Sequence, residues 1–360
     1  MADRTYVIAE AGVNHNGDLA RALALVDVAA HAGADAVKFQ TFRADLLATA
    51  GAAKANYQVA STGDDSGQFA MLRALELDED AHRALVQRCA ERGIRFMSTA
   101  FDAVSLRYLA RLGMPAVKIP SGDITCAPLL LAAARLRQPL IMSTGMSTLS
   151  DIEAALGVLA FGLTGDAEPR GRADFEAAYA GDVGQRALAS HVTLLHCVSE
   201  YPAPPEAVNL RAMDTMAASF GLPVGYSDHT LGIEVSLAAV ARGAVVIEKH
   251  FTLDRRLPGP DHAASLEPDD LTRMISGIRT IERALGSPRK VPAEAERGNR
   301  ATVRRSLVAA RPLKTGDVLD ASTLNYKRPS TGISPMEYYD ALGRHAGCDV
   351  DADMPLGPWT

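Results

Sequence analysis

The chain has 360 residues, 48% of them hydrophobic and 22% charged, with a net charge of −6. That length suits one large barrel plus a small second domain, and the acidic balance argues against a nucleic-acid or anionic-membrane partner. The four cysteines, Cys89, Cys126, Cys197 and Cys348, lie far apart with no Cys-x-x-Cys pair, so neither structural zinc nor a disulfide framework is expected and a cytoplasmic setting fits.

Met1–Arg4 runs straight into a strand-like stretch, so no signal peptide is expected. No apolar run approaches the roughly 20 residues of a membrane span. Eight β-rich runs follow in order: Tyr6–Glu10, Ala36–Gln40, Ile94–Thr99, Ala116–Ile119, Leu140–Thr144, Val192–Cys197, Val224–Ser227 and Val245–Lys249. Between them lie segments of helical periodicity, among them Leu19–Ala32, Asp78–Arg92, Ala103–Leu112, Leu149–Leu159 and Ile233–Arg242. Gly33, Gly93, Gly113 and Gly243 each stand where such a segment should end. Alternating βα units imply a parallel sheet, and eight of them imply a closed α/β barrel, the (β/α)8 TIM barrel. A last helix at Leu271–Leu285 closes a first domain at 1–286. Residues 287–302, with Pro288, Pro292 and dense charge, read as a linker. A small domain of short β pieces follows at 303–360.

Two stretches look inserted. Arg43–Phe69 follows strand two, on the face where the strands end, and is placed to cover a site. Phe161–Ser190 precedes strand six and is expected on the opposite face, where it would affect assembly only.

Barrel enzymes act at the carboxyl ends of their strands. Here those ends carry Glu10; Lys38 and Gln40; Ser98 and Thr99; Lys118, then Ser121 and Asp123; Ser143 and Thr144; His196, Cys197, Ser199 and Tyr201; Ser227, Asp228 and His229; Glu248, Lys249 and His250. A structural barrel has no reason for eight polar ends, because unpaired polar groups near a core cost free energy. One lysine alone could snorkel to water. Lys38 and Lys118 together, among the hydroxyls of Thr99, Ser121, Ser143 and Ser227, read instead as a phosphate cradle. His229 and His250 end adjacent strands, so their imidazoles could share one divalent cation. Two neutral imidazoles suit Mn²⁺, Fe²⁺, Co²⁺ or Zn²⁺ better than Mg²⁺, though catalytic sites are often permissive, and Mn²⁺ is the expectation, with Mg²⁺ or Co²⁺ as alternatives. Glu10, Asp123, Asp228, Glu248 and Asp261 are candidate acid–base groups, Asp228 and Glu248 also candidates for orienting the histidines. His15, His196 and His262 are left unassigned. His31, His82 and His191 are expected at the surface.

Several runs carry a resemblance. They are Ile8–Gly17 (IAEAGVNHNG), Val37–Thr41 (VKFQT), Lys118–Asp123 (KIPSGD), Ser143–Met146 (STGM), Gly225–His229 (GYSDH), Glu248–Asp254 (EKHFTLD) and Pro258–His262 (PGPDH). Together they closely resemble the bacterial N-acetylneuraminic acid (sialic acid) synthase family, which includes legionaminic acid synthases. Lys327-Arg328-Pro329 and Gly332–Pro335 (GISP) resemble its C-terminal antifreeze-like SAF domain, of β-clip type. The resemblance covers nearly the whole chain. It implies a C–C bond-forming transferase that joins phosphoenolpyruvate to N-acetylmannosamine or a related N-acetylated amino sugar and releases phosphate. By resemblance, Lys38, Thr99, Lys118, Ser121, Ser143, Ser199 and Ser227 hold phosphoenolpyruvate, and His229 and His250 hold the metal. Gln40, Asp123, Tyr201 and Asp261 contact the sugar, and Glu10 handles protons. Arg328 reaches the sugar's N-acetyl group in a partner subunit of a domain-swapped homodimer.

The chain departs from the family's usual pattern in having Ala100 for Pro, Asp123 for Glu, Ser199 for Asn or Thr, and a longer Phe161–Ser190 stretch. The alternative sugar is 2,4-diacetamido-2,4,6-trideoxymannose, giving N,N'-diacetyllegionaminate. Ala53–Gln58 and His196–Pro204 look as much like that branch. A metal-dependent pyruvate aldolase and a non-catalytic sugar-binding protein are the remaining readings.

Overall fold

The structure is a computed structural model describing residues 4–357 apart from Tyr57 and 60–66. The chain divides into two compact units, Met1–Gly286 and Ser287–Thr360.

In the first unit eight parallel strands close into a barrel in sequence order. They are β1 (Tyr6–Gly12), β2 (Ala36–Thr41), β3 (Arg95–Ala100), β4 (Val117–Ile119), β5 (Leu140–Ser143), β6 (Val192–Cys197), β7 (Val224–Asp228) and β8 (Val246–His250). Each bound lies within two residues of the sequence expectation. The helices between them are held by local chemistry. Asp18 and Asp78 cap helices α1 (Leu19–Ala32) and α2 (Glu79–Arg92), each accepting a backbone N–H from the first turn. Gly33 and Gly93 end them at φ +83° and +70°, a left-handed conformation that a side chain would strain. Thr148 and Asp151 form a reciprocal capping box at the start of α3 (Leu149–Thr164).

Side chains alternate across each strand, and this sets the barrel's two cores. Val37, Phe39 and Ile247 face the helices. Ile8, Ala36, Met97, Ala116, Ile141, Leu195 and Val246 pack together as a layer inside the barrel. Two residues further along each of those strands, the same inner face carries Glu10, Lys38, Thr99, Lys118, Ser143, Cys197 and Glu248.

The Phe161–Ser190 stretch forms two helices, α4 (Arg172–Ala180) and α5 (Asp182–His191), packed along α3. It is not confined to the far face. A cavity of about 710 Å³ runs between α3 and α4 and is bounded by Ile124 and Thr125, directly after Asp123. No lysine or histidine lines it.

The second unit has its own core of Leu307, Leu313, Leu319, Leu324, Ile333 and Leu356 around an antiparallel pair, Ser306–Ala309 with Leu324–Lys327. The stretch read as a linker contains a helix, Glu294–Val303. Its Ala, Glu and Arg residues favour helix. Glu296 accepts the Ala293 N–H, and Glu294 pairs with Arg297 one turn on.

Candidate active site

A cavity of about 620 Å³ opens where the strands end. Every site residue expected on the barrel lines it: Glu10, Lys38, Gln40, Thr99, Lys118, Ser121, Asp123, Ser143, Ser199, Tyr201, Ser227, His229, His250 and Asp261. Arg328 belongs to the second unit, where it is exposed directly after the strand Leu324–Lys327.

Four buried charges occupy the floor. Lys38 Nζ lies 2.6 Å from Glu10 and 3.6 Å from Glu248, and donates to Thr99 Oγ1 at 2.9 Å. Lys118 Nζ lies 3.5 Å from Glu248 and donates to Ser143 Oγ at 2.8 Å. Ser227 Oγ donates to Glu248 at 3.0 Å. Burial pushes the Glu10 carboxyl upward, and Lys38 only partly restores it. Glu248 is equally buried, but the Lys118 and Lys38 ammoniums outweigh that and hold it low. Burial lowers Lys118, whereas the two carboxylates overcome burial at Lys38 and raise it. Two carboxyls and two lysines thus face one another on the floor. An arriving phosphate would compete with the carboxylates for the same lysines.

Ser121 Oγ accepts the Gly145 N–H at 3.0 Å and lies 3.1 Å from Cys197 Sγ. A Cβ on Gly145 would sit 2.2 Å from Ser199 Oγ and 2.9 Å from Ser121 Oγ. Only hydrogen at this position leaves the hydroxyl cluster intact.

His229 and His250 come together with ring centroids 5.6 Å apart. The Tyr201 ring lies 4.1 Å from His229. His229 Nδ1 donates to the Val198 carbonyl at 2.6 Å, which leaves the Nε2 lone pair facing only Ser227 Oγ at 3.5 Å. His250 Nδ1 is buried, has no hydrogen-bond partner and lies 3.8 Å from Asp261. Burial keeps both rings neutral, His229 being lowered to about 4. Two neutral imidazoles with available lone pairs suit a divalent cation whose other positions are filled by water and substrate. Among the described residues no group of three or more His, Cys, Asp or Glu is arranged to hold a metal; a cation held by these two rings alone would keep its other positions for water or substrate.

Asp228 and Glu248 do not orient the histidines through direct contact. Asp228 points out of the barrel, accepting from Thr230 N and Oγ1 and from Ser236 Oγ, and pairs with the fully buried Lys249 at 3.0 Å. Lys249 also donates to the Thr230 carbonyl. The pair locks the turn that carries His229. Three other histidines lie off the cavity. His15 accepts the Gly17 N–H, His196 donates to the Val208 carbonyl, and His262 bonds Thr252 and Asn16. His82 is not at the surface as expected. It is fully buried, its Nδ1 against the Asp78 carbonyl and its Nε2 against the Thr41 hydroxyl, both at 2.7 Å.

The cavity also has a wall that strand-end reasoning missed. Val13, Phe42, Leu47, Met71, Leu72, Leu75 and Phe101 line it, largely from the long segment after β2. Only the length and placement of that segment pointed to it.

Fold and site together define a (β/α)8 barrel with a polar, charge-lined cavity at the carboxyl ends of its strands. Residues 25–290 match the NeuB family, and residues 304–358 match the SAF domain. The chain belongs to the NeuB family of sialic-acid-type synthases. It is 46% identical to the N,N'-diacetyllegionaminic acid synthase of Campylobacter jejuni, over 95% of this chain and 96% of that one. It is 45% identical to the enzyme of the same name from Legionella pneumophila, over 98% of this chain and 93% of that one. Among solved structures, the N-acetylneuraminic acid synthetase of Leptospira borgpetersenii in complex with citrate superposes with a TM-score of 0.66 at 32% identity, over 83% of this chain and 90% of that one.

Proposed function

We propose that the chain condenses phosphoenolpyruvate with 2,4-diacetamido-2,4,6-trideoxymannose to give N,N'-diacetyllegionaminate and phosphate. The observation that carries the chemistry is the pair of buried lysines, each already bonded to a hydroxyl, in one cavity with two neutral imidazoles. The sequence reading put N-acetylmannosamine first. The identities of 46% and 45% to two diacetyllegionaminic acid synthases, against 32% to the Leptospira synthetase, favour the trideoxy sugar instead.

In this reading Lys38 and Lys118 exchange Glu10 and Glu248 for the phosphate and carboxylate of phosphoenolpyruvate, and Thr99, Ser121, Ser143, Ser199 and Ser227 donate to its oxygens. A divalent cation held by His229 and His250, Mn²⁺ with Mg²⁺ or Co²⁺ as alternatives, supplies polarisation of the open-chain sugar's aldehyde oxygen when bound. C3 of phosphoenolpyruvate forms the new bond to the aldehyde carbon. Water adds at C2, and its proton passes to Glu10. The C2–O bond to phosphate then breaks as the C2 carbonyl forms, with the lysines holding the departing dianion. Asp123, Asp261, Gln40 and Tyr201 orient the sugar. Arg328 acts on the N-acetyl group from a partner subunit of a domain-swapped homodimer. The cytoplasm is the proposed compartment, in keeping with four free cysteines. No helix among the described residues is long and apolar enough to cross a membrane.

The test is phosphate release with Mn²⁺, offering both sugars side by side. Faster turnover of the diacetamido sugar supports the proposal. Faster turnover of N-acetylmannosamine moves the chain to the neuraminic branch, and silence with both overturns the substrate class.

A further inference from the structure

The active-site cavity has two kinds of rim. On one side stand Asp123, Ser199, Tyr201 and Asp261. On the other, Val13, Phe42, Leu47, Met71, Leu75 and Phe101 meet in an apolar cluster, beside which Gln58 and Gln68 of the segment after β2 also line the cavity. None of those six side chains can donate or accept a hydrogen bond, apart from the weak thioether of Met71. Each belongs to chain that has already left its strand: Val13 follows β1, Phe42 and Leu47 follow β2, and Phe101 follows β3. The wall therefore stands at the mouth, and the lysines lie below it on the strands.

Depth in the cavity maps onto position along the sugar. Phosphoenolpyruvate fills the lysine floor, and the aldehyde carbon must meet its C3 near His229 and His250. The far end of the open chain, C4 to C6, then extends toward the mouth. A hexose with hydroxyls at C4 and C6 lying on the apolar cluster would press polar groups against side chains that cannot satisfy them and would forfeit hydrogen bonds that water supplies in the free state. A tail ending in a C6 methyl, with an acetamido methyl at C4, loses nothing there and gains apolar contact.

We infer that the wall formed by Phe42, Leu47, Met71, Leu75 and Phe101 selects sugars that lack the C6 hydroxyl. This inference rests on the synthase reading above, and adds to it a residue-level basis for the choice of sugar. An apolar pocket rejects an added hydroxyl only modestly, so the preference should be roughly tenfold to a hundredfold in kcat/KM.

The test uses N-acetylmannosamine and its 6-deoxy analogue, which differ by one oxygen, with the diacetamido sugar as reference. Leu47 and Leu72 are only half-buried, so Leu47→Ser and Leu72→Gln can place polar groups on the wall without opening the core. Thermal melts check that each variant is folded. The wild-type enzyme should prefer the 6-deoxy analogue, and both variants should shrink that preference at least threefold. If the wild type turns over the diacetamido sugar fastest yet shows the same 6-deoxy preference in every variant, the wall is not the selector and the inference falls alone. If the wild type prefers N-acetylmannosamine to both other sugars, the reading beneath it falls as well.

Discussion

Replacing Glu10 by Gln should make the enzyme bind phosphoenolpyruvate more tightly while making it slower and less stable. Glu10 lies 2.6 Å from Lys38 Nζ, and in the proposed function a substrate oxygen takes that place. A phosphate group on Lys38 would lie about 5 Å from the Glu10 carboxylate. At an effective dielectric near 20, that repulsion is roughly 3 kcal/mol for a fully ionised carboxylate; because burial raises Glu10 to about 7, it applies in full only above that pH, where the affinity is measured. Glutamine keeps the shape and removes the charge. Up to about a hundredfold gain in affinity for phosphoenolpyruvate should follow. The free enzyme is left with Lys38 and Lys118 against Glu248 alone, and an unbalanced buried charge costs on the order of 3 kcal/mol. Its melting temperature should fall, and phosphoenolpyruvate should restore more of it than in the wild type. If Glu10 accepts the water proton as proposed, turnover should drop at least a hundredfold. Titration calorimetry without sugar reads the affinity, and thermal melts with and without phosphoenolpyruvate read the stability. Affinity equal to or below that of the wild type would refute the idea that Glu10 competes for Lys38.

Three further substitutions bear on other parts of the site. Gly145→Ala drives a methyl into the Ser121, Ser199 and Cys197 cluster, so KM for phosphoenolpyruvate should rise about tenfold or more and stability should fall by roughly 1–3 kcal/mol; an unchanged KM in a folded variant would remove those hydroxyls from the phosphate site. Asp123 is raised by burial to about 6, and its Oδ2 has no partner. Because the folded pKa exceeds the unfolded one, ionisation costs stability as pH rises from about 4 to 6, and the cost is full above that. Asp123→Asn should therefore stabilise the free enzyme by about 1 kcal/mol at pH 8, after discounting for partial exposure, and by almost nothing at pH 4. Thermal melts at the two pH values check this, and equal effects at both would contradict it. Lys249→Met leaves Asp228 buried with three neutral donors and no cation; a loss on the order of 3 kcal/mol is expected in thermal melts, together with weaker Mn²⁺ binding by calorimetry if the turn carrying His229 loosens.

Much of the site could be read from one periodicity. Successive side chains on a strand alternate faces, so once Ile8, Met97 and Val246 are inside, Glu10, Thr99, Glu248 and His250 must be inside too. The polar ends of eight strands therefore converge without any knowledge of loops. The same rule sends Asp228 and Lys249 outward, which sequence position beside the histidines concealed. His82 was legible and misread. Its helix buries Ala81, His82, Leu85 and Cys89, a spacing of three and four that places the ring on the core face. The helix in Glu294–Val303 was hidden by flanking prolines, although its own residues favour it.

The apolar wall was not legible, for a different reason. Strand parity fixes direction only within a strand, and Phe42, Leu47, Met71 and Leu75 lie beyond β2, Leu47 and Met71 on the short helices Ala44–Leu47 and Gln68–Ala74 and Leu75 at the end of the second. Their apolar character alone would fit an ordinary loop core. What distinguishes them is that Val13 and Phe101, from two other strand ends, join the same cluster at the mouth. The floor carries chemistry that any phosphoenolpyruvate condensation needs, and it follows from the barrel's symmetry. In the inference above the wall decides which sugar reaches that floor, and it is built mainly from the segment after β2, beyond the reach of strand parity. Substitutions on the floor should therefore change rate with every sugar alike, and substitutions on the wall should change the ratio between sugars. That separation can be measured with the same phosphate-release assay.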